Sequence, residues 1–165
     1  MGFSPLDGLP MGTRCGQLDP AVVFYLMDHE GLSGKEVADI LYKKSGLKGL
    51  SGISGDMREL EAAGTPEAEQ AIDYFVFRIR REVGGLAAAL NGLDALVFCG
   101  GIGENSARIR HRICEDLHWI GLDLDDARNQ CNDTRVSTLA SRAQIFVIKT
   151  DEEAMIARHA IELLQ

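Results

Sequence analysis

Two apolar runs in this chain each break into an unusual turn and then a helix-like stretch. That repeated order constrains the fold more than any other feature. The first run is DALVFC, followed by GGIGEN, where Gly100, Gly101 and Gly103 crowd into four positions. The second is QIFVIK, followed at positions 150 to 153 by TDEE. Strand, special turn and helix make up the unit from which α/β proteins build ligand sites at the carboxyl ends of their strands. Glycine in an ordered element costs roughly 0.5–1 kcal/mol relative to alanine, so the glycines after DALVFC need a reason. Either the main chain turns through dihedrals closed to other residues, or a ligand lies against it and takes amide donors from the helix start. The segment alone is also well explained as a tight turn. It is neither a Walker loop nor a full dinucleotide fingerprint, because Ser106 stands at the third glycine position.

Helical signals fill most of the remaining chain. Asp19-Pro20 predicts a helix start and Gly31 its stop; Ser33 and Glu36 predict a capping box for a helix running to Gly46. GLKGLSGISGD reads as a glycine-rich loop, and Asp56 as the cap of a short helix ending at Gly64. Thr65-Pro66 opens the longest helix, ended by Asn91-Gly92. Its stripe of Ile72, Phe75, Val76, Ile79, Val83, Leu86 and Leu90 predicts core or a subunit interface. DALVFC reads as a short buried strand. A helix is expected from about Ser106 to Leu117, a turn and short helix over WIGLDLDDARNQCN, and a terminal helix opened by a Thr150–Glu153 capping box. The first twenty residues are loop-like, rich in proline and glycine.

The length of 165 residues suits a single domain, expected over 1–165, with its own core. The net charge of −8 argues against nucleic-acid binding through a general basic surface. No apolar run approaches the roughly 18 residues that span a bilayer. The four cysteines are widely spaced. With no leader-like start, they predict reduced thiols in the cytoplasm. The histidines lack the spacing of a zinc site.

Several charged residues sit where loops could present them. Arg14 lies in a loop between glycines, where an arginine is usually just exposed, although one able to enter a cleft suits a developing phosphoryl charge. Asp56 and Arg58 follow a flexible entry, with a helix cap and a solvated arginine as the plainer reading. Asp151 and Glu152 lie at a strand-to-helix junction, where a carboxylate favours the helix dipole and can also bind Mg²⁺, often through water.

In their order and separations, MGFSPLDGL, MGTRCGQLDP, SGDMRE, VFCGGIGEN and TDEE resemble the C-terminal half of the acetate kinase family, over essentially the whole chain. The resemblance implies an α/β domain of the ribonuclease H-like, actin-like ATPase type, helix-rich with a small mixed sheet. It implies reversible, Mg²⁺-dependent transfer of the ATP γ-phosphoryl group to acetate, giving acetyl phosphate and ADP. By the same resemblance, Arg14 stabilises the transition state, and Asp56, Met57 and Arg58 form a nucleotide-binding D-x-R segment. Gly101, Ile102, Gly103, Glu104 and Asn105 lie against the adenosine, and Glu152 coordinates magnesium. A homodimer meeting through this domain is implied as well. A propionate or other short-chain carboxylate kinase fits the same motifs, and so does a module that binds nucleotide and dimerises but transfers nothing. Three positions depart from the family pattern: Cys15 for the usual serine, Gln17 for aspartate and Lys149 for proline. Met1 matches an internal methionine of the family, whose N-terminal domain is therefore expected to be absent and the chain alone inactive.

Overall fold

The computed structural model describes residues 2–164; the match of Met1 to an internal methionine lies outside them. Two compact units follow one another along the chain, the first ending at Gly84 and the second beginning at Gly85.

The first unit is helical. Its elements are α1 (Ala21–Asp28), α2 (Gly34–Lys43), α3 (Gly46–Ser51), α4 (Met57–Ala63) and most of α5 (Pro66–Ala89). Asp19 starts α1 as expected: its Oδ1 accepts from the Ala21 amide at 2.9 Å, and Pro20 already takes helical dihedrals. Ser33 and Glu36 form the expected capping box of α2. α3 corrects the sequence reading, which made GLKGLSGISGD a loop. Its first amides, on Leu47 and Lys48, find the carbonyls of Met11 and Gly12 at 3.0 and 2.9 Å. These partners more than thirty residues away compensate for the poor helix propensity of the glycines. The stripe on α5 divides along its length. Ile72, Phe75 and Val76 are buried with Leu47, Met57 and Leu60, whereas Leu86 and Leu90 are exposed.

The second unit contains the sheet. β1 (Ala95–Phe98) and β2 (Gln144–Val147) pair in parallel, with Leu96 opposite Ile145 and Phe98 opposite Val147. A parallel pair needs a long crossover. Here it is α6 (Gly100–Asn105), α7 (Ala107–Cys114), a 3-10 turn (His118–Ile120) and α8 (Asp126–Gln130). Isolated antiparallel bridges, from Arg135 to Phe146 and from Leu124 to Ser137, lie beside this two-stranded parallel sheet. Phe98, Ile109, Ile113, Leu122, Val136 and Ile145 are buried. DALVFC is less buried than its apolar composition suggests, for only Phe98 of β1 is covered and Val97 is exposed.

Two further differences concern helix starts. GGIGEN, read as a turn, is itself the helical turn α6. The terminal helix α9 (Glu152–Leu163) is capped by Asp151, whose side chain accepts from the Ala154 amide, and not by Thr150. The Thr150 hydroxyl instead donates to Glu104 Oε1 at 2.9 Å.

Candidate functional site

In the first unit, the MGTR loop is held by main-chain hydrogen bonds along its length. Met11 N–H donates to the Arg14 carbonyl, Ser45 N–H to that of Thr13 and Cys15 N–H to that of Leu41, at 3.0, 3.0 and 3.2 Å. The Thr13 hydroxyl adds a bond to the Tyr42 carbonyl at 2.9 Å. Gly46 makes this possible: its φ is +62°, and a Cβ there would lie 2.1 Å from the Met11 carbonyl oxygen. Gly12 and Gly55 bring the loop against the segment before α4, since a Cβ on Gly12 would stand 2.6 Å from the Gly55 carbonyl oxygen. Close main-chain contact thus joins the Arg14 loop to the segment bearing Asp56 and Arg58.

The two arginines differ in what they touch. Arg58 donates through Nε and Nη2 to the two carboxylate oxygens of Asp56, at 3.1 and 2.6 Å. That fork, with the Arg58 amide, holds the Asp56 carboxyl down to about 2. Arg14 is half-buried and rests 3.6 Å from the Met11 sulfur; among the described residues it has no carboxylate partner. Met57, placed by resemblance in the nucleotide segment, is only 3% exposed and belongs to the core. Beside the loop, burial pushes the Cys15 thiol up. Gln17 accepts from Arg81 Nη2 at 2.7 Å and, through its carbonyl, from the buried Arg78 at 3.3 Å.

In the second unit, the glycines of GGIGEN answer the opening question differently from one another. Gly100 has φ +73°, which only glycine adopts without strain. A Cβ placed on Gly103 would meet the Phe98 main chain at 3.4 Å, an ordinary packing distance. Gly101 has neither need: nothing lies within 4 Å of a Cβ placed there. Asn105 Nδ2 donates to the Gly101 carbonyl at 2.8 Å, so that side chain is used within α6. Glu104 Oε1 accepts from the Gly100 amide at 2.8 Å and from the amide and hydroxyl of Thr150 at 2.9 Å each. The Thr150 donors foremost hold its carboxyl below the usual glutamate range. Glu152 follows two residues later, exposed at the start of α9.

Sequence reasoning missed Arg110, which fixes the other end of α6. It is fully buried and donates five hydrogen bonds, all to neutral acceptors. Two go to the carbonyls of Gly103 and Glu104, at 2.9 and 3.1 Å. The others go to Asn129 and Asn132. Nothing in the spacing singles out this arginine among those of ARIRHR, because its acceptors Asn129 on α8 and Asn132 just beyond it lie 19 or more residues away. A surface depression along α2, lined by Leu32, Ile40 and Tyr42, holds none of these residues.

Among the described residues, no group of three or more His, Cys, Asp or Glu side chains is arranged to hold a metal ion. A lone exposed carboxylate still fits Mg²⁺, which keeps several waters and is commonly bound through one or two carboxylates plus substrate phosphates. No helix among them is long and apolar enough to cross a membrane.

Comparison with known proteins bears on these clusters. The model of the acetokinase family matches residues 1–158. The acetate kinase of Methylocella silvestris is 65% identical over 164 residues, covering 99% of this chain and 41% of that protein. In three dimensions, the acetate kinase of Porphyromonas gingivalis superimposes with a TM-score of 0.92 at 39% identity, covering 100% of this chain and 43% of that one. A propionate kinase from Francisella tularensis gives 0.89 at 43% identity, covering 96% of this chain and 41% of that one. The chain thus spans about two fifths of the length of the relatives it matches.

Proposed function

Because the chain belongs to the acetokinase family, we propose that it supplies nucleotide- and phosphoryl-binding groups for a kinase that transfers the γ-phosphoryl group of ATP to acetate, reversibly, giving acetyl phosphate and ADP. The observation that carries this reading is Arg14, a guanidinium on a rigidly held loop that has no carboxylate partner among the described residues. Phosphoryl transfer asks for little covalent chemistry from the protein; positioning and charge stabilisation do most of the work. Arg14 binds the equatorial oxygens of the transferring phosphoryl group as charge spreads over them. The open main chain at Gly101 and Ile102 lies against the adenosine, and Gly103, Glu104 and Asn105 complete that segment. Asp56, Met57 and Arg58 form the second nucleotide segment, Met57 through its main chain because its side chain is buried. Glu152 is the residue that holds Mg²⁺, and the ion when bound neutralises phosphate charge.

The acceptor is acetate or a similar short-chain carboxylate, and the family likeness extends to a protein named as a propionate kinase. The stretch 1–165 acts as one nucleotide-binding domain, and the exposed Leu86 on α5 and Leu90 just after it suit a homodimer contact. The free cysteines fit a cytoplasmic protein. Since the chain matches only part of its relatives' length, the 165 residues alone bind ATP or ADP and transfer nothing.

Two measurements test this. Calorimetry with ADP and Mg²⁺ is expected to show binding to the chain, while an acyl phosphate assay of the same preparation shows no product. Grafting residues 1–158 in place of the matching segment of the Methylocella silvestris relative is expected to give an active kinase, assayed with acetate and with propionate. An inactive but folded graft, or no ADP binding by chain or graft, overturns the reading. In the active graft, Glu152→Gln is expected to raise the Mg²⁺ concentration needed for half-maximal rate, and an unchanged metal titration removes Glu152 from the metal site.

A further inference from the structure

Glu104 stands within the segment that the proposed function gives to the nucleotide, yet its Oε1 is already fully engaged. One oxygen accepts three hydrogen bonds, from the Gly100 amide and from the amide and hydroxyl of Thr150. The first donor begins α6, and the other two belong to a residue 46 positions away in sequence. Hydrogen bonds to an ionised carboxylate are about twice as strong as neutral ones, so the three together tie the start of α6 to the residue just before α9. Thr150 immediately precedes Asp151, the cap of α9, and Glu152 is the first residue of that helix. Arg110 holds the opposite end of α6 through the carbonyls of Gly103 and Glu104. The helical turn is therefore fixed at both ends, at one by a buried cation and at the other by a carboxylate that reaches into the start of α9.

We propose that Glu104 is a positioning residue: through Thr150 it sets the main chain of Gly100–Asn105 against the start of α9, so that the nucleotide segment and the Glu152 carboxylate keep one fixed separation. The side chain of Glu104 does not itself touch the nucleotide. This inference rests on the proposed function, because it is the nucleotide and its Mg²⁺ that make the separation matter. Thr150 enters as the second half of the tie, with no role in ordinary helix capping. The tie also accounts for why Thr150 leaves the capping of α9 to Asp151.

The experiment uses the full chain and ADP, with and without Mg²⁺, on the wild type and on Glu104→Gln, Thr150→Val and the double variant. Circular dichroism checks that each is folded. The expected result is that Glu104→Gln and Thr150→Val each weaken binding in the presence of Mg²⁺ by about tenfold, the loss of a charge-assisted hydrogen bond. Binding without Mg²⁺ changes far less, and the double variant is no worse than the weaker single one. In the same proteins without nucleotide, amide exchange at Gly100 and Thr150 is expected to accelerate. If Glu104→Gln weakens ADP equally with and without Mg²⁺ while Thr150→Val changes nothing, Glu104 is a direct ligand and the proposal fails. If exchange at both amides is unchanged in Glu104→Gln, the tie does not exist and the proposal fails on structure alone. Absence of ADP binding in the wild type would instead overturn the proposed function, and with it the need for a fixed separation, while the exchange result still shows whether the tie forms.

Discussion

In the first unit Arg58 closes on Asp56, while among the described residues the Arg14 side chain meets a methionine sulfur and no carboxylate. In the second unit Glu104 is occupied by three donors, while Glu152 stands exposed. Each region thus holds one charge that is used up in shaping the chain and one that is left over. All four charged residues look alike in sequence, a charged residue near glycines or near a helix start. The difference lies in partners that only the fold supplies. A carboxylate or guanidinium already paired has less to offer a ligand, since that ligand must displace a charge-assisted bond. The unpaired charges are therefore the stronger candidates for chemistry, and the paired ones the stronger candidates for holding the site in shape.

The sharpest way to break this comparison is to remove the two arginines separately. In the active graft, Arg14→Ala is expected to lower kcat by roughly 10³-fold or more, as for other arginines that stabilise a phosphoryl transfer. Arg58→Ala is expected to lower kcat by less than about tenfold, acting mainly on the KM for nucleotide. Equal effects on kcat would show that pairing says nothing about role.

Glycines sharpen the comparison on the stability side. Gly46→Ala forces a Cβ into the Met11 carbonyl at a positive φ, and is expected to lower the unfolding free energy by more than about 2 kcal/mol, read from urea denaturation. Gly101→Ala meets nothing, so it is expected to leave stability unchanged or raise it by about 0.5–1 kcal/mol, the ordinary preference of a helix for alanine. The same Gly101→Ala variant is expected to weaken ADP binding, because the methyl group enters the space assigned to the ligand. A stable variant with unaltered ADP affinity would show that the open backbone at Gly101 is not a contact surface.

The smallest effect concerns pH. The folded-state value of about 2 for Asp56 lies below its ordinary 3.8. A carboxyl depressed in this way contributes stability above its unfolded value and loses it as pH falls towards the folded one. Asp56→Asn is therefore expected to be less stable than the wild type at neutral pH. The difference shrinks between about pH 4 and pH 2, measured by urea midpoints across that range. A difference that stays constant to pH 2 would mean that the Asp56–Arg58 pair does not form in solution.

Much of the local structure was legible because its causes are local. Ser33 with Glu36, Asp56 with the Arg58 amide and Pro66 at the head of α5 each act within a few residues, and caps of this kind announce themselves in sequence. The acetokinase resemblance was legible for a similar reason: five short motifs, each nearly continuous, kept their order. α3 and α6 were misread because glycine-rich stretches favour turns until distant partners make a helix cheaper. Thr150 was misread because TDEE matches a capping box, and nothing within four residues shows that its hydroxyl belongs to Glu104.

By itself, then, the sequence determined most of the helices, several of their caps, the two strand-to-helix junctions and the family, all of which follow from interactions between near neighbours or from motif order. Tertiary structure alone decided which charges are consumed. It set Gly12 against Gly55, carried Arg110 to Asn129 and Asn132, and joined Glu104 to Thr150. The physical reason is that a charge is spent or kept according to the donors and acceptors within about 3 Å of it, and folding draws those from anywhere along the chain.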